Sequence, residues 1–244
     1  MLDCLILGHG PAVVLVHGTA GGREQTWSEQ LSLTGKYRLI LPDRRGYAAS
    51  PPAAVVDFDV DGRDIAEVLA AGAHLVGFSY GGIGSLLAAA LRPEAIHSLV
   101  IIEPPAFGVA RGHPSVEAVV LRLAPVFARA EAMTPVEYDR AFDKALGINH
   151  VEGPISPRQR ARLDAARRER PPWEARIPMD ALRRQSFPKL VFRGDWNPAF
   201  SHVAAVIADS IGAELVTIPG GHGVQHRAGF NKRVLQLWTA AMQD

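Results

Sequence analysis

The 244-residue chain carries a single cysteine, Cys4, so no internal disulfide can form and nothing argues for an oxidising compartment. Its setting, Leu2-Asp3-Cys4-Leu5-Ile6-Leu7, suits a small core or edge residue better than a nucleophile. Long apolar runs are missing too. None approaches the ~18 residues that cross a bilayer. The opening residues hold Asp3 and no basic start, so they do not read as a signal peptide. Charge excess is absent: the formal net charge is +1, which gives no electrostatic case for nucleic acid or a membrane surface. There is no H-E-x-x-H and no C-x-x-C, and His222 with His226 lacks a neighbouring acid, so no metal is expected. Gly8, Gly10, Gly18, Gly21 and Gly22 do not form G-x-G-x-x-G behind a strand, so no dinucleotide cofactor is expected either. Repeats and low-complexity tails are lacking. A cytoplasmic protein acting on a small molecule is the expectation, with a homo-oligomer left open.

What is present is an ordinary globular composition, 48% hydrophobic and 21% charged, long enough for one large domain with an inserted subdomain. Short apolar runs read as strands at Ala12–Val16, Tyr37–Leu41, Leu75–Phe78, Ser98–Ile102, Lys189–Arg193 and Glu214–Ile218, with Leu2–Leu7 as an antiparallel edge. Helical patterns lie near Glu24–Leu33, Val60–Ala71, Tyr80–Leu91, Ser201–Ile211 and Ala228–Ala241. Non-alternating apolar strands separated by helices predict an α/β fold with a mostly parallel sheet covered on both faces. Asp61 is a candidate cap for the second helix, with Asp57 and Asp59 competing. From Pro104 to Ser186 the rhythm breaks. That stretch has no clear strand, many prolines, and helical patterns at Val116–Arg129, Pro135–Leu146, Pro157–Arg168 and Met179–Gln185. It reads as a helical insertion, residues 104–186, over a core of residues 1–103 and 187–244. Ligands bind at the carboxyl edge such an insertion covers.

The most informative motif is Gly77-Phe78-Ser79-Tyr80-Gly81, set between the apolar run Ala73–Val76 and the small, apolar run Gly82–Leu91. A serine on a sharp strand-to-helix turn has its hydroxyl exposed at the sheet edge, and the next backbone N–H points where an oxyanion forms. Serine is a weak nucleophile until an adjacent base takes its proton. His222, in the Gly-rich loop Pro219–Gly223 after the last strand, is the best base among nine histidines; His226 is the runner-up.

These features together resemble the α/β-hydrolase fold superfamily, in its serine hydrolase branch, over nearly the whole chain. His17-Gly18-Thr19 resembles the oxyanion loop, Pro42–Ser50 the D-x-R-G-x-G-x-S segment with Ala48 in place of the second glycine, Gly77–Gly81 the nucleophile elbow, and Pro219–Gly223 the histidine loop. The resemblance implies a helical cap, Ser79 as nucleophile, His222 as base, and an oxyanion hole from the N–H groups of Thr19 and Tyr80. It implies a bracing role for His17, Asp43 and Arg44. The acid departs from the pattern. The usual position, in Gly194-Asp195-Trp196-Asn197-Pro198, holds Asn197. Glu103, at the end of the strand after the nucleophile's, is the favoured acid, as in certain haloalkane dehalogenase relatives; Asp195 is the alternative. The implied activity is a cofactor-independent carboxylic ester hydrolase acting on a carboxylester, lactone or thioester. A lyase, cyclase or acyltransferase using the same residues, or a non-catalytic binding protein, stays open. The insertion also carries an arginine run (Arg158, Arg160, Arg162, Arg167, Arg168, Arg170, Arg176, Arg183 and Arg184). It reads as a solvated helical face with pairs such as Asp164–Arg168, or as a gate for an anionic substrate.

Overall fold

In the computed structural model, which describes residues 1–150 and 153–242, seven strands form one sheet. They are β1 (Cys4–Leu7), β2 (Ala12–Val16), β3 (Arg38–Pro42), β4 (Ala73–Phe78), β5 (Ile96–Ile102), β6 (Lys189–Arg193) and β7 (Glu214–Thr217), in the order β1-β3-β2-β4-β5-β6-β7. All neighbours pair in parallel except β1 with β3, so the expected antiparallel edge strand is present. This is the α/β-hydrolase fold anticipated above. Strand ends differ from the expected ones by one or two residues.

The apolar strands split their side chains between two cores. Val14, Val16, Leu75, Leu99, Ile101 and Val191 face one layer; Val13, Leu15, Val76, Val100, Ile102 and Leu190 face the other. The first layer is built by α2 (Phe58–Val68), α3 (Tyr80–Leu91) and α8 (Pro198–Ile211). The second holds α9 (Phe230–Ala240) and the segment around Trp27. Fully apolar strands need both faces covered, which is why the runs showed no alternation.

Two local expectations are corrected. The single helix near Glu24–Leu33 is a short helix, α1 (Arg23–Thr26), followed by a 3₁₀ segment, Ser28–Leu33, broken where Trp27 turns fully into the core. The cap of α2 is Asp57, whose side chain accepts from the Asp59 N–H at 2.7 Å. Asp61 lies inside the helix, buried, and has another partner described below. The segment between β5 and β6 contains helices α4 (Pro114–Ala128), α5 (Pro135–Leu146), α6 (Pro157–Ala166) and α7 (Met179–Arg183). Among the described residues no helix is long and apolar enough to cross a membrane.

Candidate active site

The carboxyl ends of β4, β5, β6 and β7 are adjacent, and the site is assembled from the loops that leave them. Ser79 sits between β4 and α3 with φ 53° and ψ −127°, a conformation that a non-glycine residue rarely adopts. The turn closes only because its neighbours lack side chains. A Cβ on Gly77 would lie 2.4 Å from Ser85 Oγ, and one on Gly81 2.3 Å from the His17 carbonyl oxygen. The Ser79 N–H donates to the Ile102 carbonyl at 2.8 Å, fixing the elbow to the end of β5.

His222, on the loop after β7, places Nε2 2.9 Å from Ser79 Oγ and Nδ1 2.9 Å from Glu103 Oε2. Phe78, Phe200 and Trp196 surround the imidazole, with ring centroids 4.9, 5.0 and 5.4 Å away. Glu103 follows β5 directly and is fully buried. It receives hydrogen bonds from the Gly194 N–H at 2.7 Å and Trp196 Nε1–H at 2.5 Å. A buried carboxylate with three donors around it is held in one orientation. Glu103 too has a positive φ, 47°.

The other candidate acids have other partners. Asp195 is exposed and its Oδ1 accepts the Gly220 N–H at 2.8 Å, tying down the loop that carries His222. Asn197 caps α8 by accepting the Ala199 N–H at 2.9 Å. Thus the structure brings Glu103, and neither Asp195 nor Asn197, to the imidazole. His226 lies beside Gln225 and not at Ser79.

The loop His17-Gly18-Thr19 runs beside the elbow. His17 is fully buried; its Nε2 accepts the Arg44 N–H at 3.0 Å and its Nδ1–H donates to the Gly18 carbonyl at 2.9 Å. Arg44 Nη2 donates to the same carbonyl at 3.2 Å. A trans peptide with its C=O held on one side directs the following N–H, here that of Thr19, to the other. Tyr80 is the first residue of α3, so its N–H has no intrahelical acceptor. Both residues line the same cavity as Ser79.

Beneath this loop lies an ionic network that sequence reasoning did not foresee. Arg44, with no exposed surface, pairs with Asp61 at 2.8 Å and Glu169 at 2.5 Å, and its guanidinium lies 4.7 and 4.8 Å from the rings of Tyr47 and Tyr80. Glu169 also accepts from Tyr47 Oη–H and Thr19 Oγ1–H, each at 2.7 Å. Glu169 comes from the insertion, and its neighbours Arg168 and Arg170 pair through their backbone with Val56. Nothing in the arginine run marked this one glutamate as buried. Several of the arginines around it satisfy the solvated reading: Arg167 and Arg168 pair with Asp164 at 2.8 and 3.4 Å, and Arg170 with Asp59 and Glu174, both at 2.9 Å.

Burial, then the Arg44 charge, lowers the His17 pKa to about 3. Burial, then His97, lowers that of His74, on β4, to about 4. Both stay neutral in the fold while the unfolded chain protonates them below ~6.5. Asp61, raised to about 6 chiefly by burial, takes up a proton in the fold earlier than in the unfolded chain and offsets one of them. Across these three groups the unfolded chain binds about one more proton, so their contribution to stability is full above roughly pH 6.5 and falls by about 1.4 kcal/mol per pH unit toward pH 4. Urea unfolding across that range measures the slope; a midpoint that rises on acidification would contradict it.

Above Ser79 lies a cavity of about 180 Å³, walled by residues such as Phe107, Leu123, Phe127, Phe142, Leu163 and Phe200, with His222 at its base. A serine–imidazole–carboxylate line below a largely apolar cavity, at the edge of this sheet, defines an α/β hydrolase. The sequence profile described as "Alpha/beta hydrolase family" matches residues 13–231, and the chain belongs to that family. Among curated proteins, the chain is 35% identical over 116 residues to the pimeloyl-(acyl-carrier protein) methyl ester esterase of Methylococcus capsulatus, a match covering 47% of this chain and 45% of that one. It is 34% identical over 98 residues to the protein of the same name from Aeromonas hydrophila, covering 39% and 38%. The matched stretch thus spans less than half the length of either relative. An α/β hydrolase from Sphaerobacter thermophilus DSM 20745 superposes with a TM-score of 0.69 at 24% identity, covering 98% of this chain and 95% of that one, a likeness of fold.

Proposed function

We propose that the protein is a serine ester hydrolase that works through an acyl-enzyme at Ser79, without a cofactor. The observation that carries this reading is the unbroken line from Ser79 Oγ through His222 to Glu103, with both links at 2.9 Å. The esterase names of its relatives support the reaction class.

The chemistry follows from that line. His222 Nε2 takes the Ser79 hydroxyl proton as Oγ bonds to the ester carbonyl carbon. The carbonyl electrons move to oxygen, and the N–H groups of Thr19 and Tyr80 receive that oxyanion. Glu103 holds the Nδ1–H tautomer and stabilises the imidazolium. His222 then passes its proton to the departing alcohol oxygen as the C–O bond breaks. A water attacks the acyl-enzyme, giving its proton to His222; Ser79 leaves with that proton and the acid is released. The apolar cavity takes the acyl chain of a small-molecule substrate. The helical insertion, residues 104–186, serves as a cap that builds this cavity from α4, α5 and α6. A cytoplasmic location belongs to the same proposal.

A fluorophosphonate probe tests the reading. Stoichiometric labelling of the wild type, abolished in Ser79→Ala and collapsed in His222→Ala, is the expected result. A folded wild type that takes no label rejects it.

A further inference from the structure

The cavity above Ser79 is not apolar throughout. α5 presents Asp139 and Asp143, one helical turn apart, to its wall. His150 Nδ1 lies 2.8 Å from Asp143 and 3.9 Å from Asp139, and the three side chains' ligand atoms lie within 4.8 Å of one another. Each is only 21–27% exposed. Among the described residues no lysine or arginine lines the cavity. Its third carboxylate, Glu169, shares the Arg44 guanidinium with Asp61. The acidic pair therefore stands in a largely apolar chamber with the His150 imidazole beside it. Burial, then Asp143, pushes the Asp139 carboxyl above the usual carboxylate range.

An independent feature points to a ligand there. Tyr138, adjacent on α5, is 1% exposed and its hydroxyl has no hydrogen-bond partner, although it lines the same cavity. Burial, then Glu169 and Asp139, pushes its ionisation well up. An orphaned buried hydroxyl is costly unless something in the cavity meets it. Around it, the rings of Phe127, Tyr138 and Phe142 are clustered with centroids 5.8 to 6.3 Å apart. Aromatic faces beside carboxylates are the surroundings in which an organic cation is held.

We propose that this end of the cavity is a subsite for a protonated amine on the substrate's chain. Asp139 and Asp143 supply the counter-charge, the Tyr138 oxygen accepts an ammonium N–H, and Phe127 and Phe142 give their faces to the adjoining methylenes. Resting on the ester-hydrolase reading, the inference narrows it to esters whose acyl chain ends in an ammonium group. It also runs against an anionic substrate, which the arginine run alone suggested.

The test compares para-nitrophenyl esters of aminohexanoic acid and of heptanoic acid, where a methyl group replaces the ammonium. An apolar chamber without the subsite rejects the charged chain. The wild type is expected to prefer the ammonium ester by about tenfold in kcat/KM. The ratio should fall below one in Asp139→Asn/Asp143→Asn and drop severalfold in Tyr138→Phe. Because both esters are read on one preparation, the ratio is independent of how much of a variant folds. A wild type that prefers the heptanoate, with Ser79 still labelled by fluorophosphonate, overturns the subsite and leaves the hydrolase reading standing. If neither ester is turned over and Ser79 takes no label, calorimetry decides with hexylamine against hexanol: selective amine binding lost in the double variant upholds the subsite, and equal or absent binding overturns it. Binding of calcium or zinc at the cluster by a wild type that binds no hexylamine assigns the cluster to a metal instead and also overturns it.

Discussion

Glu103→Gln is expected to lower kcat for ester hydrolysis by about 10⁴-fold while the protein stays folded. The reason is the number of donors that meet the carboxylate. Oε1 accepts the Gly194 N–H, and Oε2 accepts Trp196 Nε1–H and faces His222 Nδ1. A glutamine has one oxygen for these two positions. With its oxygen at Gly194, the amide NH₂ points at Trp196 and His222. The imidazole then answers by carrying its proton on Nε2, which faces Ser79 Oγ as a donor and cannot take the hydroxyl proton. The charge that stabilises the imidazolium is lost as well. Steady-state turnover and the rate of fluorophosphonate labelling should fall together.

Two companion variants separate this account from its rivals. Asp195→Asn keeps an oxygen for the Gly220 N–H on an exposed loop, so its activity should stay within about threefold of wild type. Asn197→Asp restores the carboxylate at the position most relatives of this fold use, yet it should not rescue Glu103→Gln. Position 197 is committed to capping α8 and lies against the Leu146 carbonyl at 3.5 Å. A Glu103→Gln enzyme with near wild-type turnover, or a rescue by Asn197→Asp, would remove Glu103 from its assigned role.

The legible part of this protein lay in short-range patterns. The strands were visible because a strand buried on both faces has no polar positions, and the elbow because its glycines are demanded by contacts of 2.3 to 2.4 Å. Glu103 was readable because a carboxylate at the end of an apolar strand, before two prolines, needs a buried partner. What could not be read depends on residues far apart in the chain. Glu169 sits within the arginine run, and its partner Arg44 is 125 residues away. Asp61 looked like a helix cap because its pairing with Arg44 is set by tertiary packing. Asp139 and Asp143, at i and i+4, have the spacing of a solvated helix face; only the packing of α5 shows that they turn toward the cavity.

Arg44→Met is expected to destabilise the fold by about 3–5 kcal/mol, a large share of the roughly 5–15 kcal/mol a domain of this kind possesses. Methionine nearly fills the space, so the loss comes from charge rather than from a hole. Asp61 and Glu169, both 1% exposed at the side chain, would remain buried with no cation between them. Each must then take up a proton or admit water. The consequence also reaches the site. Arg44 holds the Gly18 carbonyl, and Glu169 holds the Thr19 hydroxyl and, through Tyr47, the Ala20 N–H. Slackening either end frees the peptide that carries the Thr19 N–H of the proposed oxyanion hole, which is expected to lower kcat more than it raises KM. Adding Asp61→Asn and Glu169→Gln to Arg44→Met removes the stranded charges and should recover much of the stability, because neutral amides still fill the same volume. It should not recover kcat, since the Gly18 carbonyl still lacks its guanidinium. Urea unfolding and ester turnover on the single and triple variants read these effects separately. Full activity in a destabilised Arg44→Met would show that the network holds the fold together without aiming the oxyanion loop.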